Sequence, residues 1–209
     1  MCRIVVYRGD AMKIKWPTVG KKVFIPTGDY YEIAYLGWGD VRTHFAGYIM
    51  GYKKAADVLV TYALKSNDIK ILDTFVFPIC FNYRQYLELI MKDMYMKYSG
   101  DPKEVQETKI KKMNHSLLKA WNVIKPILER YCDSEEEAKD MQAVEEYIKD
   151  FHNTDNDAEK FRYPITKKLV RKLGKENRIN LKNLKDRMDE LENYFEAVIA
   201  KIEYTIGLM

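Results

Sequence analysis

The sequence predicts an all-α fold: a four- to five-helix bundle behind a short extended or β-hairpin N-terminal arm. Three observations predict it. After residue 39 the apolar residues return every three or four positions, which is the period of a helix. Turn clusters, Ser66-Asn67-Asp68 and Gly100-Asp101-Pro102, separate these runs. The β-prone runs RIVVYRG, KIKW and KVFIP are confined to the first 38 residues, where Trp16-Pro17 and Ile25-Pro26 also break any helix.

Two regions follow: an extended arm over 1–38 and a helical bundle over 39–209. The first helix starts at the N-cap candidate Asp40 and runs to about Lys65, with Phe45, Ile49, Tyr52, Ala56, Leu59 and Ala63 on one face. The second spans Ile69 to Tyr98, and Pro78 either kinks it or marks its true start. A polar stretch to about Asn114 reads as a loop or a short exposed turn of helix. Asn114 to Tyr131 is a third helix with Leu117, Leu118, Trp121, Ile124 and Leu128 aligned, bent or ended by Pro126. Glu135 to Phe151 is a fourth, followed by a loop over 152–157. In the last helix Leu181, Leu184, Met188, Leu191, Phe195, Val198 and Ile202 alternate spacings of three and four, fit either for the bundle or for a second copy.

Composition narrows the class of protein. At 47% hydrophobic and 32% charged residues the chain reads as an ordinary folded domain. The three cysteines, Cys2, Cys80 and Cys132, form no CxxC pair and point to a reducing compartment. The start MCRIVVYRGD lacks the features of a signal peptide, and no run approaches 18 apolar residues, so a cytoplasmic protein without a membrane span is expected. No P-loop, G-x-G-x-x-G, G-x-S-x-G or H-E-x-x-H motif occurs, and no cofactor is expected. Asp155 and Asp157 offer only a thin carboxylate pair in a loop, so no metal site is expected either.

Charge is unevenly distributed. From Asp133 to Lys160 there are eleven acidic residues against three basic ones, and from Thr166 to Arg187 nine basic against two acidic. Either the two segments are solvated faces that attract each other, or the second is a strip that meets phosphates.

The second helix carries the most informative pattern. It is apolar almost all round, yet Arg84, Glu88 and Lys92 stand at i, i+4 and i+8 with alternating sign. Charge on a buried helix is costly unless paired. The stripe is therefore either an ion-pair ladder that also holds a neighbouring loop, or the lining of a polar cleft where Arg84 or Lys92 meets an anion. His115 at a helix start is a cap, a packed ring or a proton carrier near Arg84. Trp121 reads as core.

The run YRQYLELIMKDMYMKYSG, then HSLLKAW, then FRYP, resembles the HEPN superfamily of helical nucleotide-binding domains. That family's patterns fall on Tyr86, Glu88, Leu89, Lys92 and Gly100, on His115, Ser116 and Leu117, and on Arg162, Tyr163 and Pro164. The chain is also similar to a bacterial HEPN-like set with YRxYxEL, HxLxxLW and FRYP motifs, over roughly 70–205. The resemblance implies a helical bundle, a homodimer, and a role in binding RNA, a nucleotide or a partner protein within a bacterial or phage defence or toxin–antitoxin system. The binding residues it suggests are Arg84, Glu88, Lys92, His115, Arg162, Tyr163 and Lys167.

One departure bears on catalysis. The R-x4-6-H motif of the family's ribonucleases is absent: Arg42-Thr43-His44 is too closely spaced, and no histidine follows Arg162. The expectation is thus a non-catalytic module. The alternatives are a divergent metal-independent ribonuclease using Arg84, His115 and Arg162, and a purely structural dimerisation protein.

Overall fold

A computed structural model describes residues 15–156, 158–174 and 178–207. Six α-helices account for nearly all regular structure among these residues: α1 Val41–Ser66, α2 Ile69–Tyr98, α3 Lys103–Met113, α4 Leu117–Glu129, α5 Glu135–Thr154 and α6 Leu181–Thr205. None is long and apolar enough to cross a membrane. The chain separates into residues 1–38 and 39–209. In the first part the described residues hold only a 3-10 turn at Tyr30–Glu32, capped by Asp29, and no strand. The expected strand RIVVYRG and Cys2 lie outside the described residues.

Local chemistry sets the helix ends. The Asp40 carboxylate accepts from Thr43 N at 2.9 Å and starts α1. Asn67, in the left-handed region at φ 50°, ends it, and Asp68 at once caps α2 by accepting from Lys70 N. The α2 helix continues past Pro78, so that proline does not mark its start; lacking an N–H, it deprives the Thr74 carbonyl of its helical donor. Ser116 caps α4 and Ser134 caps α5, whose first turn holds Glu135, Glu136 and Glu137 against the positive end of the helix dipole.

Two sequence expectations need correction. The polar stretch before Asn114 is an eleven-residue helix, α3, rather than a loop or a single turn. Its own apolar signal is weak. Bonds from Gln106 Nε2 to the carbonyls of Met96 and Asp101, with a Lys109–Asp101 ion pair, tie it to the end of α2. Helix α5 also continues to Thr154, so His152 is helical and only the residues beyond it form the loop.

Helix α2 is the axis of the body, and α1, α4 and α6 pack around it, with α5 against α4 and α6. Over 30 residues it is about 45 Å long. Tyr83, Leu87, Met91, Met94 and Tyr95 point into the core, where Trp121 of α4 is wholly enclosed, as expected. The apolar stripe of α6 is largely used within one chain: Leu191 and Phe195 are core residues, while Leu184 and Val198 are half-buried.

Candidate functional site

The Arg84–Glu88–Lys92 stripe faces inward. Arg84 and Glu88 are almost wholly buried, and Lys92 is nearly so. The Glu88 carboxylate gathers two cations and an imidazole: Arg84 Nη1 at 3.3 Å, Lys92 Nζ at 2.7 Å and His115 Nδ1 at 3.1 Å. Arg84 reaches further. Its Nε donates to the Asp155 carbonyl at 3.2 Å and lies 3.5 Å from the Asp155 carboxylate, and Nη2 donates to the His115 carbonyl. Lys92 Nζ also donates to the Asn114 carbonyl at 2.8 Å.

These partners explain the stripe. Asn114 and His115 form the turn between α3 and α4, where Asn114 has a positive φ and its carbonyl lacks a helical partner. The ladder holds that turn, and through Asp155 it holds the end of α5. Asp155 is buried and accepts from Glu159 N and Lys160 N at 3.1 Å each, so it anchors the loop. Asp157 lies outside the described residues. Of the two readings of the stripe, the ladder that holds a loop accounts for the contacts given above. The remaining opening is His115, whose side chain is 54% exposed with Nδ1 against Glu88.

Arg162 lies elsewhere. Its Nε donates to the Ala158 carbonyl at 2.7 Å, and its guanidinium rests over the rings of Phe81 and Tyr163. The FRYP run works as an anchor and a display: Phe161 is buried, whereas Arg162, Tyr163 and Pro164 are exposed. After Pro164 the chain doubles back, with Thr166 N donating to the Val170 carbonyl and an antiparallel bridge between Ile165 and Arg171. Lys167 sits on this turn, exposed, and lines neither of the two cavities described below.

The turn forms one wall of a cleft of about 1020 Å³, floored by the end of α1 and the first turns of α2. Lys160, Arg162, Arg171 and Arg178 converge on it, opposed among its lining residues by a single carboxylate, Asp73. Lys160 Nζ is held by the Thr154 carbonyl. Arg171 and Arg178 are exposed and have no acidic partner among the described residues. Tyr163 offers a half-exposed ring at the same place. A second, smaller cavity of about 210 Å³ lies against the start of α6, and Thr154, Phe161, Arg178 and Ile179 line both. The arrangement can bind a polyanion and stack a planar ring; nothing in it activates a nucleophile.

Sequence reasoning singled out Arg162 and Tyr163 for this site but not Arg171 or Arg178, which appeared only as members of the basic run. That run has a divided fate. Lys172 pairs with Glu159, Lys182 with Asp186 and Lys185 with Asp189. Of these pairs Lys172–Glu159 joins the basic run to the acidic segment, Lys182 and Lys185 pair within α6, and other cations line the cleft.

A second charged cluster escaped the sequence reading. Lys53 on α1 is buried, and its Nζ lies 2.9 Å from Asp57, 3.1 Å from Asp189 and 2.7 Å from Glu192. The three carboxylates lie within 4.8 Å of one another. Tyr83 also donates its hydroxyl to Asp57 at 2.8 Å. The lysine supplies the positive charge that such a group of carboxylates needs. The available signal was Lys53 itself, a charge lying between Ile49 and Ala56 on the apolar face of α1 and four residues before Asp57.

No family model, curated protein or solved structure matches this chain, so the HEPN resemblance rests on its three motifs alone.

Proposed function

We propose that this chain is a non-catalytic module that binds single-stranded RNA. One observation carries the reading: among the described residues four cations and one carboxylate line a single cleft, beside an exposed tyrosine. Cations that track phosphates supply affinity, and an aromatic face lets bases stack without sequence preference. The buried ladder serves this role indirectly, by fixing the end of α5 from which the cleft loop departs.

Fluorescence anisotropy with a labelled single-stranded RNA tests the reading. Tight binding at low salt is expected, falling as salt rises. The double variant Arg171→Ala, Arg178→Ala should weaken binding by about tenfold or more and flatten the log–log salt slope by roughly 1.4, two phosphate contacts at about 0.7 each. Wild-type protein that ignores RNA at low salt, or a double variant with unchanged slope, sinks the proposal.

One observation favours a ribonuclease as the second reading. The buried Glu88 carboxylate orients His115 through Nδ1 and leaves the rest of an exposed ring for proton transfer. Against it, Arg84 is turned inward onto carbonyls, and His115 lines neither cavity. RNA incubated with the protein and a chelator should stay intact. Cleavage that His115→Ala abolishes would favour the enzyme.

A further inference from the structure

Helix α1 has two apolar faces, and the fold uses one. Ala56, Val60 and Ala63 are wholly buried against the body. Away from the body, Val41, Tyr48, Ala55 and Tyr62 follow one another at intervals of seven, with Gly51 and Val58 three residues after Tyr48 and Ala55. All six are exposed, the four larger ones by 54–77%. This is the a and d spacing of a seam between two helices, sustained over roughly 32 Å. A helix packed on one body keeps a single apolar stripe, so a second stripe of this length calls for a second helix. The stripe of α6 leaves no such face, since Leu191 and Phe195 are in the core.

Two details suit this seam to a close partner. The Tyr48 ring stacks on Tyr52 with centroids 6.5 Å apart, and the Tyr62 ring on Phe75 at 5.6 Å, so both large side chains are held in place before anything docks. Gly51 lies in the interior of the helix, where glycine is less stable than alanine. A Cβ there would meet nothing within 4 Å. The packing of this chain therefore gives no reason for a glycine, whereas the close approach of a second backbone does.

Size and shape name the occupant. With about 150–250 Å² for each whole residue, the four larger ones expose roughly 500 Å² per copy, and two copies together reach the ~1,000 Å² that a specific interface has to clear. The seam also fits itself. Turned about a two-fold axis beside Gly51, it sets Tyr48 opposite the partner's Ala55 and Val41 opposite the partner's Tyr62, so bulk meets gap on both sides. We propose that the outer face of α1 is an interaction surface for a second copy of this chain, the two α1 helices packing antiparallel with their backbones closest at Gly51. The inference does not depend on the reading of the cleft.

Sedimentation velocity of the full chain at micromolar concentrations tests this. The wild type should sediment at twice the 24.7 kDa of one chain. Gly51→Leu puts bulk where the backbones meet and should weaken the dimer by about tenfold or more. Diluted until both are monomers, the same variant should resist urea at least as well as the wild type, because leucine is the better helix former and its side chain meets open space. Val58→Glu, at an exposed position, should weaken the dimer as much while keeping its helical circular dichroism. If Val58→Glu loses its fold, Gly51→Leu decides alone. A wild type that stays at the mass of one chain overturns the proposal and leaves the face to another protein. So does a dimer whose dissociation constant changes less than twofold in both variants, which puts the interface elsewhere.

Discussion

Glu88→Ala should destabilise the protein by about 3 kcal/mol in urea unfolding at neutral pH. The carboxylate is buried and is the acceptor shared by Arg84, Lys92 and His115. Its removal takes a carboxylate partner from the Arg84 guanidinium inside the core, and buried charge stripped of a partner is among the most expensive defects a single substitution makes. Removing both ends tells a different story. Arg84→Met combined with Glu88→Leu takes the buried charges away together and should recover a good part of the loss, because an ion pair and a well-packed apolar pair can be near in energy. A Glu88→Ala loss below about 0.5 kcal/mol would mean that the stripe behaves as a solvated surface ladder. The double variant also separates stability from the turn: freeing the Asn114 and His115 carbonyls should raise hydrogen exchange at the α3–α4 connection even where global stability returns.

Lys53→Met should cost about 2–3 kcal/mol at pH 7, and the cost should shrink as the pH falls toward 4. The lysine is buried, but its three carboxylates are 22–38% exposed, so solvent screens part of their mutual repulsion and the effect stays below that of a sealed pair. The pH dependence follows from the groups themselves. Burial pulls the Lys53 ammonium down, but hydrogen bonds to Glu192, Asp57 and Asp189 outweigh it and leave the pKa above its usual 10.5. Burial pushes the Asp189 carboxyl up, but Lys185 and Lys53 outweigh that and hold it below its usual 3.8. The carboxylate's contribution is present above its unfolded value and is lost as the pH falls through the lowered folded one. The lysine's contribution is present below 10.5 and is lost as the pH rises through the raised folded one. The contributions of Lys53 and Asp189 are therefore both present between about pH 4 and 10. Without the ammonium, Asp57, Asp189 and Glu192 repel one another until protons neutralise them, and only Lys185 remains, on Asp189 alone. Urea midpoints of both proteins at pH 7 and pH 4 check this. An equal gap at both values would show that the carboxylates are not what the lysine balances.

What the sequence by itself determined is the set of helices whose signals are local. Phe45 to Ala63 and Leu181 to Ile202 repeat at the helical period, and Asp40 sits where a cap belongs, so α1 and α6 were legible within a residue or a few. The Arg84–Glu88–Lys92 ladder was legible for the same reason, since its members are one turn apart. Helix α3 was not, because KEVQETKIKKM buries only Met113 and is held by Gln106 and Lys109 reaching back to the end of α2. The tertiary structure alone decided who completes each charged group. Asp155 and His115 reach the ladder from 71 and 27 residues away, and Asp189 and Glu192 reach Lys53 from 136 and 139. It also divided the basic run, setting Lys172 against Glu159 while Arg171 and Arg178 turn to the cleft. The physical reason is the same in each case. Periodicity and capping act within one turn of backbone, whereas the energy of a charge depends on what packing brings within a few ångströms of it, and that neighbour carries no mark in the local sequence.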